Sequence, residues 1–239
     1  MKVSNIISSL ALIFLGGFLM YLKWMNLLVF YIRPDYDLFT TAMGFVLLLS
    51  GVWTLLFSHD NRSNHHANEV KMFTTAAAFI FVIAGILTPR QSLSSNTAFR
   101  RGPNQNMQIG ALDSNPSTLV SPLLQKVEST NYTIADWIKL LQIDPEPSNY
   151  EGRAVTVDGF IQPKENGYFL VARFVLSCCI VDASPIGIYV NQKLDDLQAD
   201  EWVRVSGKFI VQEVDGKRVL AIDPDSIIKI PEPLNPYFY

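Results

Sequence analysis

LFTTAMGFVLLLSGVWTLLF, Leu38–Phe57, is twenty residues without a charge. A run of that length and apolarity is enough to cross a bilayer core, and it is the clearest span in the chain. Two further runs repeat the signal: IISSLALIFLGGFLMYL (Ile6–Leu22) and MFTTAAAFIFVIAGILT (Met72–Thr88), the latter stopped by Pro89-Arg90. The expectation is therefore an α-helical membrane region over 1–90 with three spans, at 6–22, 38–57 and 72–88. Small residues recur in these runs (Gly16, Gly17, Gly44, Gly51, Gly85), as they do where helices approach closely in lipid. The first run is read as a retained anchor, because Met20-Tyr21-Leu22 is no small-residue cleavage site and two more runs follow it. The connector WMNLLVFYIRPDYD (Trp24–Asp37) is aromatic and apolar, flanked and interrupted by Lys23 and Arg33, a composition suited to the membrane interface.

Three spans place the two termini on opposite sides. Lys2, Arg62 and Lys71 then face Lys23, Arg33, Arg90, Arg100 and Arg101, and this count leans toward a cytoplasmic second half. From 91 to 130 the chain turns to Ser, Asn, Gln, Gly and Pro, which reads as a flexible tether.

After the tether the periodicity changes twice. TIADWIKLLQID (Thr133–Asp144) sets Ile134, Trp137, Ile138 and Leu141 on one helical face, with Thr133 and Asp136 spaced as a capping box and Pro145 and Pro147 ending the run. Period-two runs follow at 153–162, 168–176, 178–190, 202–214 and 217–230, with Asn166-Gly167 and Asp215-Gly216 as hairpin turns. Some five short strands with interior glycines at Gly159 and Gly207 predict a small all-β barrel over 131–239, preceded by a short helix. The OB type is the first expectation and an SH3-like barrel its competitor.

Charge bears on what such a barrel binds. Residues 1–130 carry nine basic and six acidic side chains, and residues 131–239 carry ten and sixteen. An acidic barrel lacks the phosphate-binding field of a nucleic-acid module, so no nucleic-acid partner is expected.

Two clusters of chemistry-bearing residues stand out. SHDNRSNHH (Ser58–His66) holds every histidine of the chain, and His59, His65 and His66 are candidate ligands for transient capture of a divalent metal such as zinc. RFVLSCCIVD (Arg173–Asp182) holds both cysteines, and Arg173, Cys178, Cys179 and Asp182 form a candidate functional rim. Read as a strand, this segment sends Cys178 and Cys179 to opposite faces, one packed in the barrel as a small hydrophobe and the other outward or at a rim. All three histidines lie in the loop between spans, so a cysteine nucleophile lacks a base in the barrel. With no phosphate-loop, dinucleotide or HExxH motif either, a catalytic site is not expected.

YIRP (31–34), the histidine loop, TPR (88–90), VDGF (157–160), RFVLSCCIVDASPIGIYV (173–190), DEWVRVSGKF (200–209) and the ending NPYFY (235–239) together resemble the YcgQ-like family of two-component permease subunits, whose members carry a domain of unknown function. The resemblance implies a multi-pass protein of a bacterial plasma membrane. It implies a non-enzymatic accessory role beside a larger multi-span permease, with the barrel docking on or regulating that partner and with no tightly held cofactor. The alternative is a metal-capture protein acting through the loop histidines.

Overall fold

A computed structural model describes residues 3–57, 76–77, 79–80, 82–85, 92–104, 132–164, 168–194, 197–214 and 216–239. The chain divides into two compact units, Met1–Gln91 and Ser92–Tyr239.

The first unit is built on two long helices, α1 (Val3–Trp24) and α2 (Asp37–Phe57). Each begins and ends where charge or backbone geometry dictates. Lys23 sits in the last turn of α1, complementing the helix dipole, and Asn26 then takes a positive φ of 52°. Pro34 opens a 3-10 turn (Pro34–Tyr36) that leads into α2, whose first turn carries Asp37. The helices pair in antiparallel fashion: Ser9 meets Thr54 (Oγ–Oγ1 2.9 Å), Gly16 lies against Gly44 and Leu48, and Lys23 pairs with Asp37.

Glycine is what permits this approach. A Cβ on Gly16 would stand 2.7 Å from the Gly44 carbonyl, and one on Gly51 would stand 2.7 Å from Cγ1 of Ile13. Two helices, Ile6–Trp24 and Pro34–Phe57, are long and apolar enough to cross a bilayer, and only 22% and 11% of their most apolar windows are buried by protein. Most of the third expected span lies outside the described residues; within it, 76–77, 79–80 and 82–85 are helical.

The second unit is a closed β-barrel of five strands: β1 (Ala154–Pro163), β2 (Phe169–Val175), β3 (Ser184–Val190), β4 (Trp202–Val214) and β5 (Lys217–Lys229). β1 pairs antiparallel with β4 along Ala154–Phe160 and then with β2 along Phe160–Pro163. β2 pairs with β3, β3 runs parallel to β5 at Tyr189–Val190, and β4 pairs with β5, so the circuit is β1-β2-β3-β5-β4-β1. A two-residue strand β6 (Tyr237–Phe238) adds in parallel to β2.

Closure requires β1 to serve two neighbours, and Gly159 lies where it passes from one to the other. A Cβ there would come within 2.5 Å of the Ala172 carbonyl. Gly207 plays the same part at the register irregularity between β4 and β5, where a Cβ would meet the Asp223 carbonyl at 2.1 Å. β4 and β5 pair out to Val214 and Lys217, and Gly216 takes a φ of 74°; Asp215 and the expected turn at Asn166-Gly167 lie outside the described residues.

Inward-facing Val155, Val157, Ile161, Val171, Ile186, Ile188, Val203, Val205, Phe209 and Ile222 fill the barrel. Helix α4 (Ile134–Ile143) plugs it. Its Thr133–Asp136 capping box forms as the sequence predicts, and Trp137, fully buried, sets its ring 4.7 Å from Phe209 in edge-on contact.

A second apolar cluster covers the outside of the barrel. Helix α3 (Ser95–Arg101) lies inside the segment read as tether, yet Ala98 is fully buried and, with Leu93, packs on a cluster containing Phe160, Leu170, Ala172, Phe174, Trp202 and Tyr237. Asn104 continues the strap. Its amide donates to the Gly187 carbonyl (2.9 Å) and accepts from the Gly187 N–H (3.1 Å), satisfying β3 where it has not yet reached β5.

Candidate functional site

The segment 176–183, between β2 and β3, departs from the strand that its sequence predicts. Strand β2 ends at Val175, β3 begins only at Ser184, and between them Ile180–Asp182 makes a 3-10 turn. The cause is Asp182. Its carboxylate accepts the backbone N–H of Ser177 (3.1 Å) and of Cys178 (2.7 Å), while its own N–H donates to the Cys179 carbonyl (3.1 Å). A short polar side chain that offers the backbone such partners competes directly with a sheet ladder. On the strap, Arg101 donates to the Ala183 carbonyl and ties the end of the turn down.

This fold corrects the alternation argument. Cys178 and Cys179 are not on opposite faces, and neither is buried in the barrel: Cys178 is exposed and Cys179 half-buried, both as free thiols. Their sulfurs lie 3.5 Å apart. With a carboxylate oxygen of Asp182 they form a cluster whose ligand atoms all fall within 4.8 Å of one another. Val181, 79% exposed, stands at the tip of the same turn.

The electrostatics follow from these contacts. The Cys178 thiol donates to the Asp182 carboxylate and is crowded by Cys179, and these neighbours push its pKa up to about 12. Partial burial works against the Asp182 carboxylate. The Cys178 thiol and the amides of Cys178, Ser177 and Cys179 outweigh that and hold its pKa below the ordinary carboxylate value. The Cys178 thiol is therefore protonated at neutral pH and poorly suited to nucleophilic attack.

Arg173 does not join this cluster. It sits on β2 with its guanidinium over the rings of Phe238 (4.3 Å) and Trp202 (5.3 Å), and it donates to the carbonyls of Pro236 (3.2 Å) and Asn235 (2.5 Å). Desolvation lowers its pKa, offset in part by Asp158. Arg173 thus holds the C-terminal segment on the barrel. It also lines a cleft of about 350 Å³ with Tyr132, Thr133, Thr156, Asp158 and Arg204, in which Asp158 and Arg204 already form a two-pronged pair at 2.7 Å. His59, His65 and His66 lie outside the described residues.

The sequence reading did not find the strap. In the sequence the strap is marked only by the apolar Leu93, Ala98 and Phe99 and the helix stop Gly102-Pro103, within an otherwise polar stretch.

With the fold and the cysteine turn in place, comparison with protein families is decisive for kinship. The DUF1980 N-terminal domain matches residues 7–104, and the DUF1980 C-terminal domain matches residues 118–239. The chain belongs to the DUF1980 family. The N-terminal match takes in the helical hairpin and the strap, and the C-terminal match takes in α4 and the whole barrel. No curated protein and no solved structure matches the chain.

Proposed function

We propose that this DUF1980 protein is a non-enzymatic membrane subunit that works beside a larger multi-span permease, with its barrel as the docking or regulatory part. The observation that carries this reading is the α1–α2 hairpin. Its helices leave Phe14, Leu38, Phe39, Phe45, Trp53 and Phe57 more than half exposed, far more apolar surface than a two-helix unit carries into water. Lipid and partner helices are what cover such faces.

One face is also notched. Gly17 has no atom near the position a Cβ would take, and it opens a groove of about 430 Å³ lined by Ile13, Phe14, Phe18, Tyr21, Leu48 and Val82. A notch at a small residue is where a helix of another subunit packs closely in lipid.

In the finer reading the hairpin is completed by the third span at 72–88 and the barrel is of OB type. Its strand circuit and parallel β3–β5 pairing are consistent with a five-stranded Greek-key barrel. The strap supports a protein-facing rather than a nucleic-acid-facing role, because Ser92–Asn104 covers the outer side of β2 and β3, the face such barrels use for oligonucleotides. The protonated Cys178 thiol supports a non-catalytic role.

The test is purification of the tagged full-length protein in mild detergents, beside its Gly17→Leu variant. The reading predicts a multi-span partner in stoichiometric amount with the parent, and its loss with a folded Gly17→Leu protein. Recovery of the parent alone across several mild detergents would refute it.

A further inference from the structure

We infer that Cys178, Cys179 and Asp182 form an open, three-ligand tetrahedral site for a zinc-class divalent cation, completed by a fourth ligand from outside the turn. The inference is independent of the permease partner. It rests on ligand type and on distance.

Two thiolates on a tetrahedral zinc with Zn–S of about 2.3 Å stand about 3.8 Å apart, whereas two thiolates in linear coordination at the same bond length would stand about 4.6 Å apart. The observed 3.5 Å between the sulfurs is close to the first figure and well short of the second. Adjacent cysteines reach this geometry only because the Asp182 turn has taken them out of the strand. A carboxylate oxygen lies within 4.8 Å of both sulfurs, placed to join them as the third ligand. Its oxygens keep lone pairs beyond those engaged by the two amides.

The geometry also sets what kind of site this is. All three ligands come from five consecutive residues on an exposed turn, and no further Cys, His, Asp or Glu joins the cluster among the described residues. A closed structural zinc site has four protein ligands; a site with three keeps a position for water or an incoming group. Binding takes the place of the two thiol protons, which leave to solvent, and involves no change of oxidation state. A turn-borne, partly exposed site with a free position suits a cation that is passed on rather than stored.

Cobalt(II) titrated into the full-length protein in detergent, reduced and carrying no histidine tag, tests this. The expected result is one equivalent bound, with the strong visible bands of tetrahedral cobalt and a thiolate-to-metal charge-transfer band. Zinc should bleach both, and added imidazole should shift the visible bands by entering the open position. Cys178→Ser and Cys179→Ser should each remove about half of the charge-transfer intensity or more. The triple His59→Ala, His65→Ala, His66→Ala variant should keep all of it. The absence of a charge-transfer band in the parent, or its persistence in the double cysteine variant, would overturn the proposal. So would bands that imidazole leaves unmoved, since they would mean a closed site. Should the variants lose their fold, the parent alone suffices: at a pH alkaline enough for the metal-free protein to be alkylated, zinc must protect the cysteines from iodoacetamide, and equal alkylation with and without zinc overturns the site.

Discussion

Replacing Trp137 by alanine tests whether α4 is the plug that completes the barrel. Trp137 has no exposed surface and contacts three aromatic rings, those of Tyr132, Tyr150 and Phe209 at centroid distances of 5.1, 6.4 and 4.7 Å. Truncating a fully buried tryptophan to alanine costs about 3–5 kcal/mol in transfer and cavity terms. The edge-on contact with Phe209 is lost as well, so about 4 kcal/mol is the expected loss. One opposing effect is present. The indole N–H is buried without a hydrogen-bond partner among the described residues, and an unsatisfied donor of this kind costs about 1–3 kcal/mol.

Trp137→Phe separates the two. It keeps an aromatic ring near Phe209 and removes the orphaned donor, so relief and lost volume nearly cancel and the net change should stay within about 1 kcal/mol. The assay is urea unfolding of the full-length protein in detergent, followed by circular dichroism in the β-sheet band. Net of that relief Trp137→Ala costs about 2–3 kcal/mol, so with a slope of about 2 kcal/mol per molar urea it should lower the midpoint by about 1–1.5 M, and Trp137→Phe by less than about 0.5 M. If Trp137→Ala moved the midpoint no further than Trp137→Phe, α4 would not be plugging the barrel and the core assignment would be wrong.

Three shorter predictions follow from other parts of the molecule. Asp182→Asn removes the carboxylate that raises the Cys178 pKa, so alkylation of the metal-free protein near pH 8.5 should accelerate about tenfold or more, read by mass spectrometry of the modified peptide. Because the Asp182 pKa is lowered in the folded protein, its hold on the turn is complete at neutral pH and is lost as pH falls through that lowered value. The amide resonances of Ser177 and Cys178 should therefore titrate with a midpoint below that of an ordinary aspartate and stay constant at neutral pH. Gly51→Leu places side-chain atoms where Ile13 and the Ser9 carbonyl already lie, so the hairpin should lose thermal stability in detergent, whereas Gly17→Leu should leave it within about 0.5 kcal/mol of the parent.

What the sequence made legible is what short-range physics determines. The uncharged runs became α1 and α2, Thr133 and Asp136 became a real capping box, and period-two runs became paired strands. Gly159 and Gly207 were visible as interior glycines, but the close backbone contacts that require them appear only with the strand circuit. The cysteine turn was misread for a specific reason. Cys178–Asp182 is β-compatible by composition, and nothing local announces that Asp182 will take the amides of Ser177 and Cys178 for itself. The strap was missed because its stability is tertiary: a seven-residue helix with no side-chain cap is not stable alone, and Ala98 is buried only because the outer face of the barrel is there to receive it.

The most direct test of the account is a photo-crosslinking amino acid placed at Val181, the exposed tip of the cysteine turn, in the full-length protein in its native membrane. If the barrel presents this turn to a permease, irradiation should join the protein to one multi-span membrane protein, and the Gly17→Leu variant should lose that product. Crosslinks to water-soluble proteins alone, or a product that Gly17→Leu leaves untouched, would contradict a membrane subunit that docks through hairpin and barrel together.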